Sequence, residues 1–131
     1  MRTHKVKIGS STLDCATTFK ANMAITDQVI DPMVLARDEM LAAEAQKTGL
    51  PHTPVMPMTV LNVVKILHAG HAAGGGSLTL EEVGDMVMEA GPVNVLEPLG
   101  LYLAALVAGT SAELPKPKKG DNKKAAASGN A

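Results

Sequence analysis

Apolar residues between positions 60 and 91 recur at the spacing of two consecutive helices. In the first helix they fall at i, i+3, i+4 and i+7, which places them on one face: Val60, Val63, Val64 and Leu67. The glycines at 74–76 end this helix, because glycine adopts the left-handed backbone that a helix end requires. Thr79 and Glu82 form a T-x-x-E capping box that begins the second helix, whose apolar residues are Leu80, Val83 and Val87.

The N-terminal segment has the alternating pattern of a β-hairpin. Val6 and Ile8 alternate with two lysines, and a turn containing Gly9 separates this run from a second β-branched run, TLDCATTF. A two-stranded hairpin alone is marginally stable. We therefore expect the next segment, a helix over residues 20–30, to cover its apolar face.

Proline and glycine set the ends of two more helices. Asp31 and Pro32 supply an N-cap and a first helical residue, and Gly49 ends the helix that they begin. Its expected buried residues are Val34, Leu41 and Ala45. Gly91 and Pro92 begin the last helix, which ends at Gly109. The apolar stripe of this last helix is Leu96, Leu99, Leu103, Leu106 and Val107.

These patterns predict a mainly α fold of the α+β class, with an N-terminal β-hairpin, a small bundle of about five helices and a disordered C-terminal tail. One small domain is expected over residues 1–113, since a chain of 131 residues suits one modest core. Its predicted elements are the hairpin 4–19 and helices at roughly 20–30, 32–48, 58–73, 80–90 and 93–108. Three prolines between residues 48 and 59 predict a stiff, extended loop, whose Val55, Met56 and Met58 either dock to another subunit or pack on their own core.

The core must be built almost without aromatic side chains. Aromatic residues make up 2% of the chain, whereas eight methionines supplement its Leu, Val, Ile and Ala. Methionine is unbranched and adaptable, so it suits a core with irregular gaps or a surface that repacks around partners. A lone cysteine, Cys15, cannot form an internal disulfide, which favours a reducing cytoplasm. No apolar run approaches the length of a membrane span, so no membrane partner is expected.

Charge divides the chain near position 114. Residues 1–113 contain seven basic and twelve acidic side chains, whereas residues 114–131 contain five lysines and one aspartate. The second segment has too few apolar residues to offset the entropy of ordering, so a flexible basic tail is predicted there. Its lysines lack neighbouring aromatics and arginines, which favours a solvated linker over nucleic-acid binding.

The best candidate for a metal site is a pair of histidines, and the pattern is poor. His68 and His71 lie at i and i+3 near a predicted helix end, but a zinc site needs further ligands, and His4 and His52 lie in no ligand-spacing motif. A helix C-terminus favours cationic histidine without any metal. We therefore expect neither a metal nor a cofactor.

The other polar groups also point away from catalysis. The acidic residues of the 80–90 helix occupy its exposed face and first turn, where carboxylates are favoured anyway: Glu81, Glu82, Asp85 and Glu89. Cys15 has no basic neighbour in its strand, which favours a structural thiol over a nucleophile. The GGGS run follows a helix, whereas phosphate-binding loops follow a strand. The protein is therefore not expected to be an enzyme.

The order of these segments is similar to that of a viral protein family. The helix ending in LHAGHAAGGG, the segment LTLEEVGDMVMEAG and the leucine-striped last helix resemble the phage tail assembly chaperones. More narrowly, the chain resembles the small proteins encoded just before the tape measure in gene-transfer-agent-like and long-tailed phage clusters. The resemblance covers residues 5–109 and is most specific at 67–91, whereas the proline-rich loop at 47–58 departs from the family pattern.

The resemblance implies a chaperone that coats the tape measure protein, keeps it soluble and hands it to the tail tube protein in the cytoplasm of the infected bacterium. Adaptable apolar side chains suit this role, because they accept varied amphipathic helices. The implied partner-binding residues are Met56, Met58, Met86 and Met88, with Leu99 and Leu103 as a second patch. The unpaired edges of the hairpin would also allow a homo-oligomer.

Two other classes of function fit the same composition. A structural virion protein, such as a capsid or a neck or tail accessory component, would be present in the mature particle. A small-molecule-binding helical domain is less expected, because the sequence offers no convergent polar cluster to orient a ligand.

Overall fold

The structure, a computed structural model, describes residues 2–108 as a two-stranded hairpin followed by five helices. The strands are β1 (Thr3–Ile8) and β2 (Ser11–Ala16). The helices are α1 (Phe19–Gln28), α2 (Pro32–Thr48), α3 (Val60–Ala73), α4 (Leu80–Ala90) and α5 (Pro92–Ala108). The predicted mainly α fold with an N-terminal hairpin and five helices is confirmed. The predicted helix end at Gly109 and the predicted tail at 114–131 lie outside the described residues.

The hairpin is antiparallel, and its inner face joins the hydrophobic core. Val6 pairs with Leu13, and His4 pairs with Cys15, so that these side chains point to the same side of the sheet. Val6 and Leu13 are buried. Gly9 occupies the turn with φ of 65°, a left-handed conformation that glycine adopts without strain.

Two helices cover the hairpin, and neither is the helix that was predicted to do so from the sequence. α3 packs on β2 and α5 packs on β1, whereas α1 packs mainly on α3. The expectation that the helix at 20–30 covers the hairpin was therefore wrong. The physical reason is that α1 buries only Ala21 and Ile25, a face too narrow to cover a sheet, whereas α3 buries seven residues.

The predicted helix ends agree with the observed caps. The Asp31 carboxylate accepts a hydrogen bond of 2.9 Å from the Met33 N–H, and Gly49 ends α2 with φ of 75°. Thr79 and Glu82 form a reciprocal capping box at the start of α4. Gly74 follows the last residue of α3, and the left-handed residue of this turn is Gly75, with φ of 87°. Local sequence signals therefore set the boundaries well.

Several side chains predicted to be buried are exposed. Leu41 is 50% exposed, because α2 turns Leu35 toward the core instead. Leu96 is 43% exposed, and the buried face of α5 consists of Val95, Leu99, Tyr102 and Leu103. Val60 and Leu80 also stay exposed at the first turns of α3 and α4. α2 and α5 are thus rotated relative to the prediction, whereas α3 and α4 bury the rest of their predicted faces.

Tyr102 explains the rotation of α5. Its side chain is fully buried, and its hydroxyl donates a 2.6 Å hydrogen bond to the Ala16 carbonyl at the end of β2. The hydroxyl also lies directly over Gly70 of α3, where a Cβ atom would overlap it. One side chain therefore joins the hairpin, α3 and α5.

Candidate functional site

An apolar groove lies between α2, α5 and the proline-rich segment that links α2 to α3. We call it the loop groove, and its volume is about 320 Å³. Leu35, Leu99 and Leu103 come from the two helices, and Met56 and Met58 come from the loop. The groove therefore has an apolar lining suited to an apolar side chain or a helix face.

Polar contacts at both ends of the loop shape this groove. The His52 ring donates from Nε2 to Asp38 Oδ1 over 3.0 Å, which fastens the loop to α2. Asn62 Nδ2 donates a 3.0 Å hydrogen bond to the Pro57 carbonyl, which fastens it to α3. Prolines stiffen the segment between these contacts. The loop groove is therefore formed without a partner.

The structure brings four of the six predicted partner-binding residues together in the loop groove: Met56, Met58, Leu99 and Leu103. Met56 is partly buried against the core and Met58 is 37% exposed. Leu99 and Leu103, expected to form an exposed second patch, are instead buried at 2% and 6% exposure. Their exposure was wrongly predicted. They lie where α2 packs on α5, and the sequence pattern does not show this packing.

The other two predicted residues lie elsewhere. Met86 packs against the core from α4 and does not line the loop groove. Met88 is 60% exposed, and it lines a separate groove on the surface between α3 and α4. The predicted methionines therefore do not form one continuous surface.

This second groove, the α3–α4 groove, has a volume of about 530 Å³ and opens widely to solvent. Its apolar lining consists of Val60, Leu61, Val64, Leu80 and Met88, with Gly84 among them. Glu81 and Asp85 complete the lining. The sequence interpretation missed this groove because it assigned Val60 and Leu80 to buried faces. A glycine inside an otherwise good helical sequence, Gly84, was the available signal.

His71 has a structural contact rather than a ligand set. Its Nδ1 lies 2.9 Å from the Asp14 carbonyl oxygen, and because a carbonyl only accepts, Nδ1 carries the proton. This contact fastens the end of α3 to β2. Across residues 2–108 no three His, Cys, Asp or Glu side chains are placed to hold one metal ion.

Cys15 is enclosed between the hairpin and α3. Its thiol is fully buried and donates to the Leu67 carbonyl oxygen over 3.6 Å. Burial, with a smaller contribution from the Asp14 charge, raises the pKa of the thiol to about 12. Because the thiolate is the reactive form, this environment makes the cysteine inert.

The Cys15 thiol is expected to react slowly with a disulfide reagent in the folded protein. Its pKa rises from 9.0 to about 12, so the thiolate fraction near neutral pH falls by about 1,000-fold. The rate is measured by absorbance in buffer and again in denaturant, where the ordinary pKa returns. Ser11→Cys in a Cys15→Ser background supplies an exposed control on the same strand. Native Cys15 reacting as fast as this control would contradict the buried position.

Between residues 2 and 108, no single helix is both long enough and apolar enough to cross a bilayer. α4 and α5 together reach the required length and composition, but they are bent by 116° at their junction.

The two grooves share one chemistry, an apolar lining with carboxylates beside it. The loop groove includes Asp38 and Glu39, and the α3–α4 groove includes Glu81 and Asp85. Such linings suit the burial of an apolar side chain beside a cationic group. Comparisons with protein-family models, curated proteins and solved structures found no match to this chain.

Proposed function

We propose that this protein is a phage tail assembly chaperone, which binds amphipathic helices of the tape measure protein and keeps that protein soluble while the tail tube assembles. The observation that carries the proposal is the loop groove, where Met56 and Met58 stand over a floor formed by Leu99 and Leu103. The sequence resemblance to tail assembly chaperones supplies the biological setting. On this proposal the protein acts in the cytoplasm of the infected bacterium.

The chemistry of the loop groove supports helix binding. An amphipathic helix buries its apolar stripe when it lies in such a groove, and each buried methylene contributes about 0.8 kcal/mol. Methionine side chains adopt many shapes at low energy, so one groove accepts stripes of different sequence. This property is needed by a chaperone whose partner presents many non-identical helical segments.

A pre-formed groove also reduces the entropy lost on binding. The His52–Asp38 and Asn62–Pro57 contacts hold the loop before any partner arrives. Many copies along one long tape measure protein would then add their modest affinities through effective concentration. A weak individual site thus allows later displacement of each copy by the tail tube protein.

Co-expression with the tape measure protein that the proposal implies in the same genome tests the proposal. We expect a soluble complex on size-exclusion chromatography with the unaltered chain. Substituting both Met56→Ser and Met58→Ser is expected to abolish it, because two polar side chains would then stand over the apolar floor. The matched control is Met23→Ser with Met33→Ser, two exposed methionines outside both grooves.

Thermal unfolding of both double variants separates lost binding from lost folding. A complex that survives the Met56 and Met58 substitutions, or that is lost equally in the control, would contradict binding in the loop groove. Mass spectrometry of purified particles addresses the alternative. A chaperone is expected to be absent from the particle, whereas stoichiometric copies would identify a structural virion protein and overturn the chaperone proposal.

A further inference from the structure

Three glycines lie inside helices, where glycine destabilises the fold. Gly70, Gly84 and Gly100 occupy interior positions of α3, α4 and α5. None of them has the positive φ found at Gly9, Gly49, Gly75 and Gly91. Glycine in a helix interior costs about 0.8–1.0 kcal/mol relative to alanine. Each of the three therefore needs a reason other than backbone conformation.

Packing within the fold supplies that reason at only one position. At Gly70, a Cβ atom would overlap the Tyr102 hydroxyl, so a larger residue is excluded. At Gly84 the nearest atom to such a Cβ is Val64 Cγ1 at 3.7 Å, an ordinary contact. At Gly100 the nearest is Glu39 Oε1 at 3.8 Å. The fold itself has room for alanine at the last two positions.

Gly84 and Gly100, which packing within the fold does not require to be glycine, each line an apolar groove. Gly84 lies in the α3–α4 groove, and Gly100 lies in the loop groove. A side chain at either position would project into the groove beside it. Absence of a side chain lets a neighbouring backbone approach closely, which is a recurrent use of glycine. The glycines therefore indicate that the grooves receive a closely packed occupant.

Both grooves include carboxylates, but in the loop groove Asp38 is paired with His52. α4 carries four acidic side chains and no basic one, and two of them, Glu81 and Asp85, line the α3–α4 groove. They lie one helical turn apart on the same side. Glu82 is engaged in the capping box, but within residues 2–108 the structure gives Glu81 and Asp85 no cationic partner. The groove therefore combines an apolar lining with two unpaired negative charges.

We propose that the α3–α4 groove binds a helix of a partner protein that presents an apolar stripe flanked by lysine or arginine one turn apart. The stripe covers Val60, Leu61 and Leu80, the partner backbone approaches Gly84, and the cations face Glu81 and Asp85. Paired charges of this kind set orientation and association rate more than affinity. The inference rests on the proposed function in naming a partner class, but its test needs no tape measure protein.

Segments of this chain fit the groove less well. Residues 114–131 have the right charge but contain only one large apolar residue, Leu114. Among the helices between residues 2 and 108, α2 has two cationic side chains, Arg37 and Lys47, and they lie more than two turns apart. A separate partner with a cationic amphipathic helix is therefore the occupant that the charges favour.

Two designed helical peptides serve as probes, each about five turns long. Both carry the same leucine stripe, which lysines flank in one and glutamates in the other, and a scrambled lysine peptide has the same composition without the stripe. The full-length protein is labelled with 13C at its methionine methyl groups and titrated by NMR. We expect the lysine peptide to bind about tenfold or more tightly than either other peptide, with an affinity that falls as salt is added.

The methionine signals report which groove is occupied. We expect the Met88 methyl resonance to shift at lower concentrations of the lysine peptide than the Met56 and Met58 resonances, because Met88 lines the α3–α4 groove and the two other methionines line the loop groove. Shifts at Met56 and Met58 without one at Met88 would overturn the assignment. A Met88 shift that depends on protein concentration without peptide would show that a second copy occupies the groove, and this too would overturn the proposal.

Substitutions at the groove give matched comparisons. Gly84→Leu places a side chain in the groove and improves helix propensity, so we expect a fold at least as stable and peptide binding about tenfold or more weaker. Glu81→Gln with Asp85→Asn should remove the preference for the lysine peptide. Glu89→Gln, on the same helix but outside the groove, should retain it.

Three further results would contradict the inference: equal affinity for the lysine and glutamate peptides, unchanged peptide binding by Gly84→Leu, or a loss of peptide preference in Glu89→Gln as large as in the Glu81 and Asp85 double variant. The outcome is separable from that of the proposed function. Peptide binding without a tape measure complex would retain this groove and reject the chaperone role. A tape measure complex together with equal affinity for the lysine and glutamate peptides would reject this groove and retain the chaperone role.

Discussion

Gly70→Ala is expected to destabilise the protein by about 2–4 kcal/mol, although alanine is the better helix former. The added methyl group would overlap the Tyr102 hydroxyl in a fully buried site. Overpacking of this kind costs about 1–3 kcal/mol. Displacing the tyrosine also breaks its bond to Ala16 and leaves a buried carbonyl unpaired, at about 1–3 kcal/mol. The gain in helix propensity, about 1 kcal/mol, offsets only part of this loss.

A double-mutant cycle with Tyr102→Phe isolates the contact. Removing the hydroxyl relieves the closest overlap, so Gly70→Ala should cost less in the phenylalanine background, with a coupling of about 1 kcal/mol or more. Urea denaturation of the four proteins gives the free energies of unfolding. Gly84→Ala is the matched control, since the fold leaves room at that position, and it should stabilise the protein. Additive effects of Gly70→Ala and Tyr102→Phe would contradict the contact.

Leu99→Ala is expected to reduce the free energy of unfolding by about 2–5 kcal/mol. Leu99 is 2% exposed and belongs to the central core cluster, so truncation leaves a cavity beneath the loop groove. Leu96→Ala, one turn earlier on α5, is expected to change stability by less than about 1 kcal/mol, because Leu96 is 43% exposed. Urea denaturation of both variants measures these changes in the free energy of unfolding.

The pair Leu99 and Leu96 also decides between two interpretations of α5. A leucine stripe read from the sequence places both side chains on one apolar face, so their losses should be similar. The observed rotation of α5 makes them unequal. Similar losses at Leu96 and Leu99 would therefore contradict the structure. The comparison further shows why Leu99 is unsuited to testing partner binding, since its substitution weakens the fold itself.

Element boundaries could be predicted from the sequence because local chemistry determines them. The Asp31 cap, the Thr79–Glu82 capping box and the left-handed Gly49 each satisfy backbone groups within a few residues along the chain. Hairpin pairing was likewise predictable from alternation around Gly9. All of these signals act over one turn of structure, so neighbouring residues contain the necessary information.

Helix rotation and groove formation could not be predicted in the same way. The position of α5 depends on the bond from Tyr102 to Ala16, which joins residues 86 positions apart. Leu96 and Val95 are both apolar, and contacts of α5 with distant elements decide which of them is buried. The α3–α4 groove similarly depends on two helices meeting at Val64 and Gly84. A periodic pattern identifies apolar residues, but it does not say which of them a tertiary neighbour will cover.

The position of Tyr102 also sets an order of events during synthesis. The hairpin leaves the ribosome before the five helices, but its inner face is covered by α3 and α5, and α5 is the last of these helices to be made. Contacts between segments so far apart in sequence form late, because ordering the chain between them costs conformational entropy. Until then Lys5 and Lys7, the charged side chains on the outer face of β1, are its protection against pairing with another nascent chain. The hairpin is therefore made before the helices that complete it.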